Sequence, residues 1–390
     1  SLIQTFSQTR METSAGKVLN NMAKLDISES YPQVLNSHQK KARAAQARTA
    51  EVQAKRVQAR VEKENAHRVP VQVDRREGGE SLQGPLKLPE RWHILPHEVL
   101  FMLVTGVIWL RVGWSAGFSQ SSAILFFFYT LSLASVITWC QLHPSPYRWR
   151  VRLGATLLLS ALTYFSLSTA VPLMHNPGGL ETMIWHQDTA LAQWDAAWLG
   201  DWPRRLMELA PAAWVSDVFM ACYLFFFYYI IGGLLYYFVK DLNVFRAALV
   251  GFGAVYALGY VGYMLMPAIG PLEEMGARSG GWLTETGGAF ISQRTNGVDV
   301  FPSIHMAASL FLLMFDFQHR RAHFWWVLAP TVGLWISTVY LRYHYGVDLL
   351  AGVVLAFGCV WLTRWFARSR LCAEVEAECA AHSRKAHVQI

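Results

Sequence analysis

From residue 97 to residue 366 the chain is a succession of apolar runs separated by polar breaks, and everything ahead of it is polar. The runs fall at about 97–117, 121–142, 153–174, 214–239, 245–267, 303–317, 324–343 and 347–366. Most of them approach the roughly 20 residues that a helix needs to cross a bilayer. Together they predict eight membrane helices, of which the sixth is short and the first contains Arg111. Residues 1–36 show no clear period. In 37–68, Ala47, Ala50, Ala54, Val57 and Val61 recur at helical spacing within a basic segment. That segment reads as a solvated helix, a weak coiled coil or a helix lying on anionic lipid. Gly78, Gly79, Gly84, Pro85 and Pro89 mark 69–90 as a linker. The expected fold is all-α: a polytopic membrane helix bundle behind a polar leader that is partly helical or disordered.

Composition sharpens this picture. The chain is 53% hydrophobic and 16% charged, and the uneven spread of those residues excludes one soluble globular domain. The net charge of +7 sits largely in the leader, in short loops and after the last run, which suits membrane anchoring and argues against a nucleic-acid partner. Cys140, Cys222 and Cys359 lie in apolar runs, and Cys372 and Cys379 in the tail. Without a CxxC pair or a Cys/His cluster, neither a zinc site nor a disulfide framework is indicated. The chain opens on serine with no secretory h-region nearby, so it reads as a fragment or as beginning upstream of the true start, for which Met11 is one candidate.

Loop charges orient the runs. Arg148, Arg150 and Arg152, then Lys240 and Arg246, then His319, Arg320, Arg321 and His323, then Arg364, Arg368 and Arg370 all fall on one side of an eight-span bundle. The positive-inside rule makes that side cytoplasmic, together with both termini. A plasma (inner) membrane protein with its long loops 175–213 and 268–302 on the outer face is expected. In the first of these, Trp185, Trp194, Trp198 and Trp202 alternate with Asp195, Asp201, Arg204 and Arg205. Residues 188–209 therefore read as one helix or two short ones in the interface, broken near Pro203, serving as an anchoring belt or as a lid over a site.

Two motifs reach that outer face. Pro302-Ser303-Ile304-His305 opens the sixth run, and His344-Tyr345-Gly346-Val347-Asp348 opens the eighth. Ionisable groups at the mouths of membrane helices are costly and so are functional candidates. Pro302 suits a first helical turn, where free N–H groups favour an anion, and Ser303 adds a hydroxyl. The simpler reading of that pair is a helix cap. His344 and Asp348, four apart on one helix face, would let the carboxylate hold one ring nitrogen and leave the other to attack. The simpler reading there is a buried pair joining two helices.

The stretch from Phe301 to His305, followed by Tyr340-Leu-Arg-Tyr-His-Tyr-Gly-Val-Asp348-Leu-Leu-Ala-Gly352, resembles the type 2 phosphatidic acid phosphatase superfamily. Tyr263-Met-Leu-Met-Pro267 with Gly270-Pro271, and Asp195, Gly200 and Pro203, resemble its branch related to inositol phosphorylceramide synthase. The resemblance covers about 150–367 and implies a six-helix core with its site near the outer face. The Lys-x6-Arg-Pro motif of the phosphatases is missing, and Thr338 follows Ser337 where they carry arginine. The transferase branch is similar in lacking both cations. Arg294 and Arg342 are the nearest basic residues in sequence to compensate phosphate charge, with Ser303 beside them.

The resulting domain reading is a leader at 1–90, two accessory helices at 91–149, the core at 150–367 and a cytoplasmic tail at 368–390. In the mechanism so implied, His344, held by Asp348, attacks phosphorus to form a phosphohistidine. His305 protonates the leaving alcohol and then activates the acceptor. The resemblance implies metal-independent chemistry, and no cofactor is expected. The substrate would be a membrane phospholipid or lipid phosphate, with a polyol, a lipid alcohol or water as acceptor. Two other classes compete: a non-catalytic membrane binding or scaffold protein, and a small-molecule transporter, for which the chain lacks a convincing internal repeat.

Overall fold

The computed structural model describes residues 92–142, 144–175, 186–295 and 297–377. The chain divides into two units at residue 84, and every described residue lies in the second. The leader, its candidate helix at 37–68, Trp185 and Cys379 lie outside the described residues.

The described residues are helical, without strands. The order is α1 (Pro96–Ala116), α2 (Ser121–Leu142), α3 (Pro146–His175), α4 (Asp188–Leu199), α5 (Trp202–Glu208), α6 (Ala213–Lys240), α7 (Leu242–Leu265), α8 (Pro271–Met275), α9 (Trp282–Ser292), α10 (Ile304–His319), α11 (Arg321–Tyr340) and α12 (Gly346–Ala367). Each apolar run of the sequence coincides with one of the eight long helices. Six of these, α1, α2, α3, α6, α7 and α12, are long and apolar enough to cross a membrane. At 16 residues α10 is shorter. The 20 residues of α11 include His323, Pro330, Thr331, Ser337 and Thr338, which dilute its apolar character.

Helix α7 is the central post: 72% of its most apolar window is buried, against 28% for α2. It packs on α1, α3, α10 and α12. Glycines on α7 permit this approach. A Cβ at Gly262 would stand 2.2 Å from Pro302 Cδ, and one at Gly259 would stand 2.5 Å from Ile304 Cδ1. The chain entering α10 can therefore lie directly against the α7 backbone.

The helices are fastened at both ends of the bundle by buried polar groups, as polar atoms withdrawn from water must be. At one end, Asp316 of α10 accepts hydrogen bonds from Tyr229 Oη (3.0 Å) and Tyr237 Oη (2.5 Å) of α6, and lies 2.8 Å from His323 Nδ1 of α11. At the same end, Glu98 of α1 pairs with Arg152 of α3. At the opposite end, the starts of α10 and α12 meet, where Ser303 N donates to Asp348 O at 3.0 Å. The two histidine motifs converge there.

The interfacial segment is two helices, α4 and α5. The break falls at Gly200, whose φ is +63°, and Asp201, with Pro203 in the first turn of α5. Asp195 of α4 is buried and accepts from Gly346 N (2.9 Å) and Val347 N (2.7 Å), two of the otherwise unpaired donors at the start of α12. Asp188 accepts from Ile269 N (3.0 Å), Gly270 N (2.7 Å) and Tyr345 Oη (3.1 Å). Helix α4 is thus a clamp on the loops around the convergence point.

Candidate active site

Ser303 is the N-cap of α10: its hydroxyl oxygen accepts from Met306 N at 3.3 Å, and the side chain is fully buried. Pro302 precedes the cap instead of occupying the first turn, and its peptide bond with Phe301 is cis. Ser303 therefore takes the capping role and sets the direction in which His305, one residue into the helix, projects.

His344 is not on a helix. It lies two residues before α12, in the turn that leaves α11, so the expectation of one shared helix face is corrected. Leu341 N donates to Ser337 O, and both Tyr343 N (2.9 Å) and His344 N (3.1 Å) donate to Thr338 O. Arg342, with φ of 68°, turns the chain in the left-handed region. Asp348, in the first turn of α12, folds its carboxylate back to accept from Tyr345 N at 2.8 Å. That brings Asp348 Oδ2 to 3.4 Å from His344 Nδ1. The contact is within ion-pair reach but off the hydrogen-bond line, and Nδ1 has no hydrogen-bond partner among the described residues. A small rotation of the buried imidazole would complete the bond.

The other nitrogen of His344, Nε2, lies 3.2 Å from His305 Nδ1. His305 Nε2 in turn lies 3.1 Å from the hydroxyl of Tyr223 on α6. Asp348, His344, His305 and Tyr223 thus form one continuous polar line across four segments. The two histidines stand on the wall of a cavity of about 460 Å³ enclosed by α3, α6, α7, α8, α9 and residues on either side of them, Ile269, Arg294, Thr295, Asp299 and Val300. Its size suits a small-molecule or headgroup site. Tyr164, Tyr256, Tyr260 and Tyr263 contribute to the wall, as do Asp299 and Glu273. Asp299 accepts from Tyr164 Oη (2.5 Å) and Thr295 Oγ1 (3.0 Å).

The two arginines part company. Arg294 is on the cavity wall, exposed, with its guanidinium 3.7 Å over the Phe290 ring and one bond to Phe290 O. It is the one Lys or Arg among the described lining residues. Arg342 is not brought to the cavity. Its guanidinium donates to the carbonyls of Met207 (3.2 Å), Met275 (2.7 Å) and Gly276 (2.9 Å), so it ties α5 and α8 to the turn. Arg278 does the same with Met207 O, Leu209 O and Tyr340 O. Ser303 and Asp348 stand behind the wall and do not line it. Tyr223, Tyr164 and Asp299 were not singled out from the sequence, since nothing local marks a tyrosine on an apolar helix as facing a histidine 82 residues on.

Burial pushes the His344 imidazole down to about 4, opposed by the Asp299 carboxylate and by the Val300 backbone. At neutral pH the ring is uncharged and its lone pair is available. The same shift makes the fold acid-sensitive. Between pH 6.5 and 4 the unfolded imidazole binds a proton that the folded one refuses, so stability falls as pH falls through that window. Thermal unfolding in detergent is expected to show Tm dropping over this range, and dropping less in His344→Gln. An equal drop in both proteins would show that His344 is not the sensitive group.

Comparison with curated proteins gave no match, and comparison with solved structures gave none. A family model does match, over the segment that holds the clamp helix, both histidines and Asp348: residues 189–362, a little under half of the chain, fit the model described as the PAP2 superfamily.

Proposed function

We propose that the protein is an integral membrane lipid phosphotransferase that works through a phosphohistidine on His344. The observation that carries this reading is the line from Asp348 through His344 to His305, delivered to the wall of a headgroup-sized cavity. His344 Nε2 attacks phosphorus while Asp348 takes up the Nδ1 proton's charge. His305, adjacent to Nε2, gives a proton to the leaving alcohol and retrieves one from the acceptor. Phosphate entering between the rings supplies the negative charge that keeps His305 protonated for the first step. Arg294 is the group on the wall suited to neutralise an equatorial oxygen. Arg342, engaged with three carbonyls, is assigned to holding the turn.

The charge balance of the cavity favours transfer over hydrolysis of a lipid monophosphate. One arginine faces two carboxylates on the wall, which suits a singly charged phosphodiester better than a phosphomonoester dianion. A headgroup donor of the inositol-phospholipid kind, with a polyol or lipid alcohol as acceptor, fits this balance. In the membrane we place eight crossings, including the short α10 and the more polar α11. The site then faces outward and both termini face the cytoplasm of a plasma (inner) membrane protein. The leader at 1–90, the accessory pair at 91–149, the core at 150–367 and the tail at 368–390 complete the arrangement.

The test supplies purified protein in lipid micelles, without divalent metal, with phospholipids labelled in the headgroup phosphate. Inositol or diacylglycerol is present or omitted. Label is expected in a new lipid, dependent on the added alcohol. Label released as free phosphate or a phospho-alcohol regardless of acceptor would make the protein a hydrolase. Absence of turnover across the panel would favour a binding protein on the same fold.

A further inference from the structure

His305 must serve twice in the proposed reaction, as acid towards the leaving alcohol and as base towards the acceptor. Each role requires Nδ1 to face the reacting oxygen, since Nδ1 is the nitrogen turned towards His344 Nε2. The other nitrogen, Nε2, keeps its proton in both forms, because a neutral imidazole that is bare at Nδ1 carries its one hydrogen on Nε2. A partner that stays in place through both forms must accept a hydrogen bond from that N–H in each. Backbone N–H and ammonium groups only donate and cannot serve, whereas a hydroxyl oxygen accepts in both forms and, being neutral, leaves the charge of the ring to the proton on Nδ1.

The group beside His305 Nε2 is the hydroxyl of Tyr223, at 3.1 Å. Tyr223 is 3% exposed, so water cannot readily replace it. Its ring lies 5.1 Å from the His305 ring and 4.7 Å from that of Tyr343, and Phe226 closes the other side of His305 at 4.5 Å. Aromatic rings thus fix the imidazole plane, and one hydroxyl fixes its rotation about that plane. We infer that Tyr223 is a positioning residue that holds His305 Nδ1 towards the reacting oxygen in both protonation states. The inference rests on the phosphotransferase reading above.

The proton balance closes. The cycle starts with the imidazolium form of His305, Nε2–H donating to the Tyr223 oxygen. As the His344 Nε2–P bond forms and the P–O bond to the leaving group breaks, the Nδ1 proton passes to that oxygen. The acceptor hydroxyl later returns a proton to Nδ1 as it attacks phosphorus and the P–N bond breaks. Tyr223 neither gains nor loses a proton overall.

The test compares two leaving groups on the phospho-headgroup that the label assay identifies: diacylglycerol, which needs a proton as it departs, and p-nitrophenol, which does not. Tyr223→Phe keeps the ring and removes one oxygen. Its kcat with the diacylglycerol ester is expected to fall about 10- to 100-fold with KM within about twofold, while the burst of nitrophenol changes less than about threefold. The ratio of the two rates within one preparation is independent of how much protein is folded. Combined with His305→Ala, the tyrosine change should add nothing further on the diacylglycerol ester. Equal losses on both esters, an additive loss in the double variant, or wild-type rates on both would each overturn the role of Tyr223. Those results leave the phosphotransferase reading intact, because wild-type turnover of the two esters tests that reading separately.

Discussion

His344→Ala is expected to lower turnover by about 10⁴-fold or more and to abolish a phosphorylated form of the protein. The reason is specific to the geometry. His305 is not placed to substitute as nucleophile, because its Nδ1 points at the vacated ring and its Nε2 is covered by Tyr223. Asp348 is fully buried behind the wall and reaches the cavity only through His344. Rapid quenching of wild-type protein with labelled donor should trap a phosphoramidate, labile in acid and stable in base. The variant should trap nothing while eluting as the same species. Substantial turnover by the variant, or a wild-type adduct stable in acid, would sink the phosphohistidine mechanism. The background that remains should be small, since without a nucleophile the cavity retains Arg294, His305 and hydroxyl donors to favour the transition state.

Much of the scaffold was legible because apolar runs of membrane length leave few alternatives to helices. The pairing of His305 with His344 was legible too, since both fall at ends of runs that loop charges place on one face. Backbone geometry set by tertiary contacts is not legible in the local pattern. The spacing predicts His344 and Asp348 on one helix face, but the α12 helix starts after His344, where Asp195 caps Gly346 and Val347 from another segment. Arg342 is near His344 in sequence, but its left-handed φ and three carbonyl partners turn its guanidinium away from the cavity. In the sequence Asp195 is one polar position between the tryptophans of the interfacial segment and one residue of the resemblance, and its capping bonds span 151 and 152 residues. Tyr223 was invisible because period and composition alike place it among the apolar residues of α6. Side chains that meet across distant segments leave no local pattern, and these are the ones that position the chemistry.

Glu98→Ala is expected to destabilise the protein by about 3–5 kcal/mol, the cost typical of leaving one member of a buried ion pair uncompensated. Arg152 Nε and Nη2 lie 2.6 and 2.5 Å from the two Glu98 oxygens, and both side chains are fully buried. The arginine also donates to His93 O at 2.6 Å and lies 4.4 Å over the Trp149 ring, which Arg246 of α7 approaches from 4.6 Å. Two guanidinium groups therefore share one indole, and Glu98 is the carboxylate that makes the arrangement tolerable. This lattice joins α1, α3 and α7, so the helices ahead of the matched segment 189–362 are part of the same core and not a detachable addition. Unfolding in detergent should register the loss. The paired change Glu98→Leu with Arg152→Met should restore most of it, because removing both charges removes the desolvation problem along with the attraction. A Glu98→Ala protein within about 1 kcal/mol of wild type would mean that the pair is hydrated and that α1 is only loosely held. In that case α7, not the ion pair, would carry the union between the accessory helices and the segment that holds the histidines.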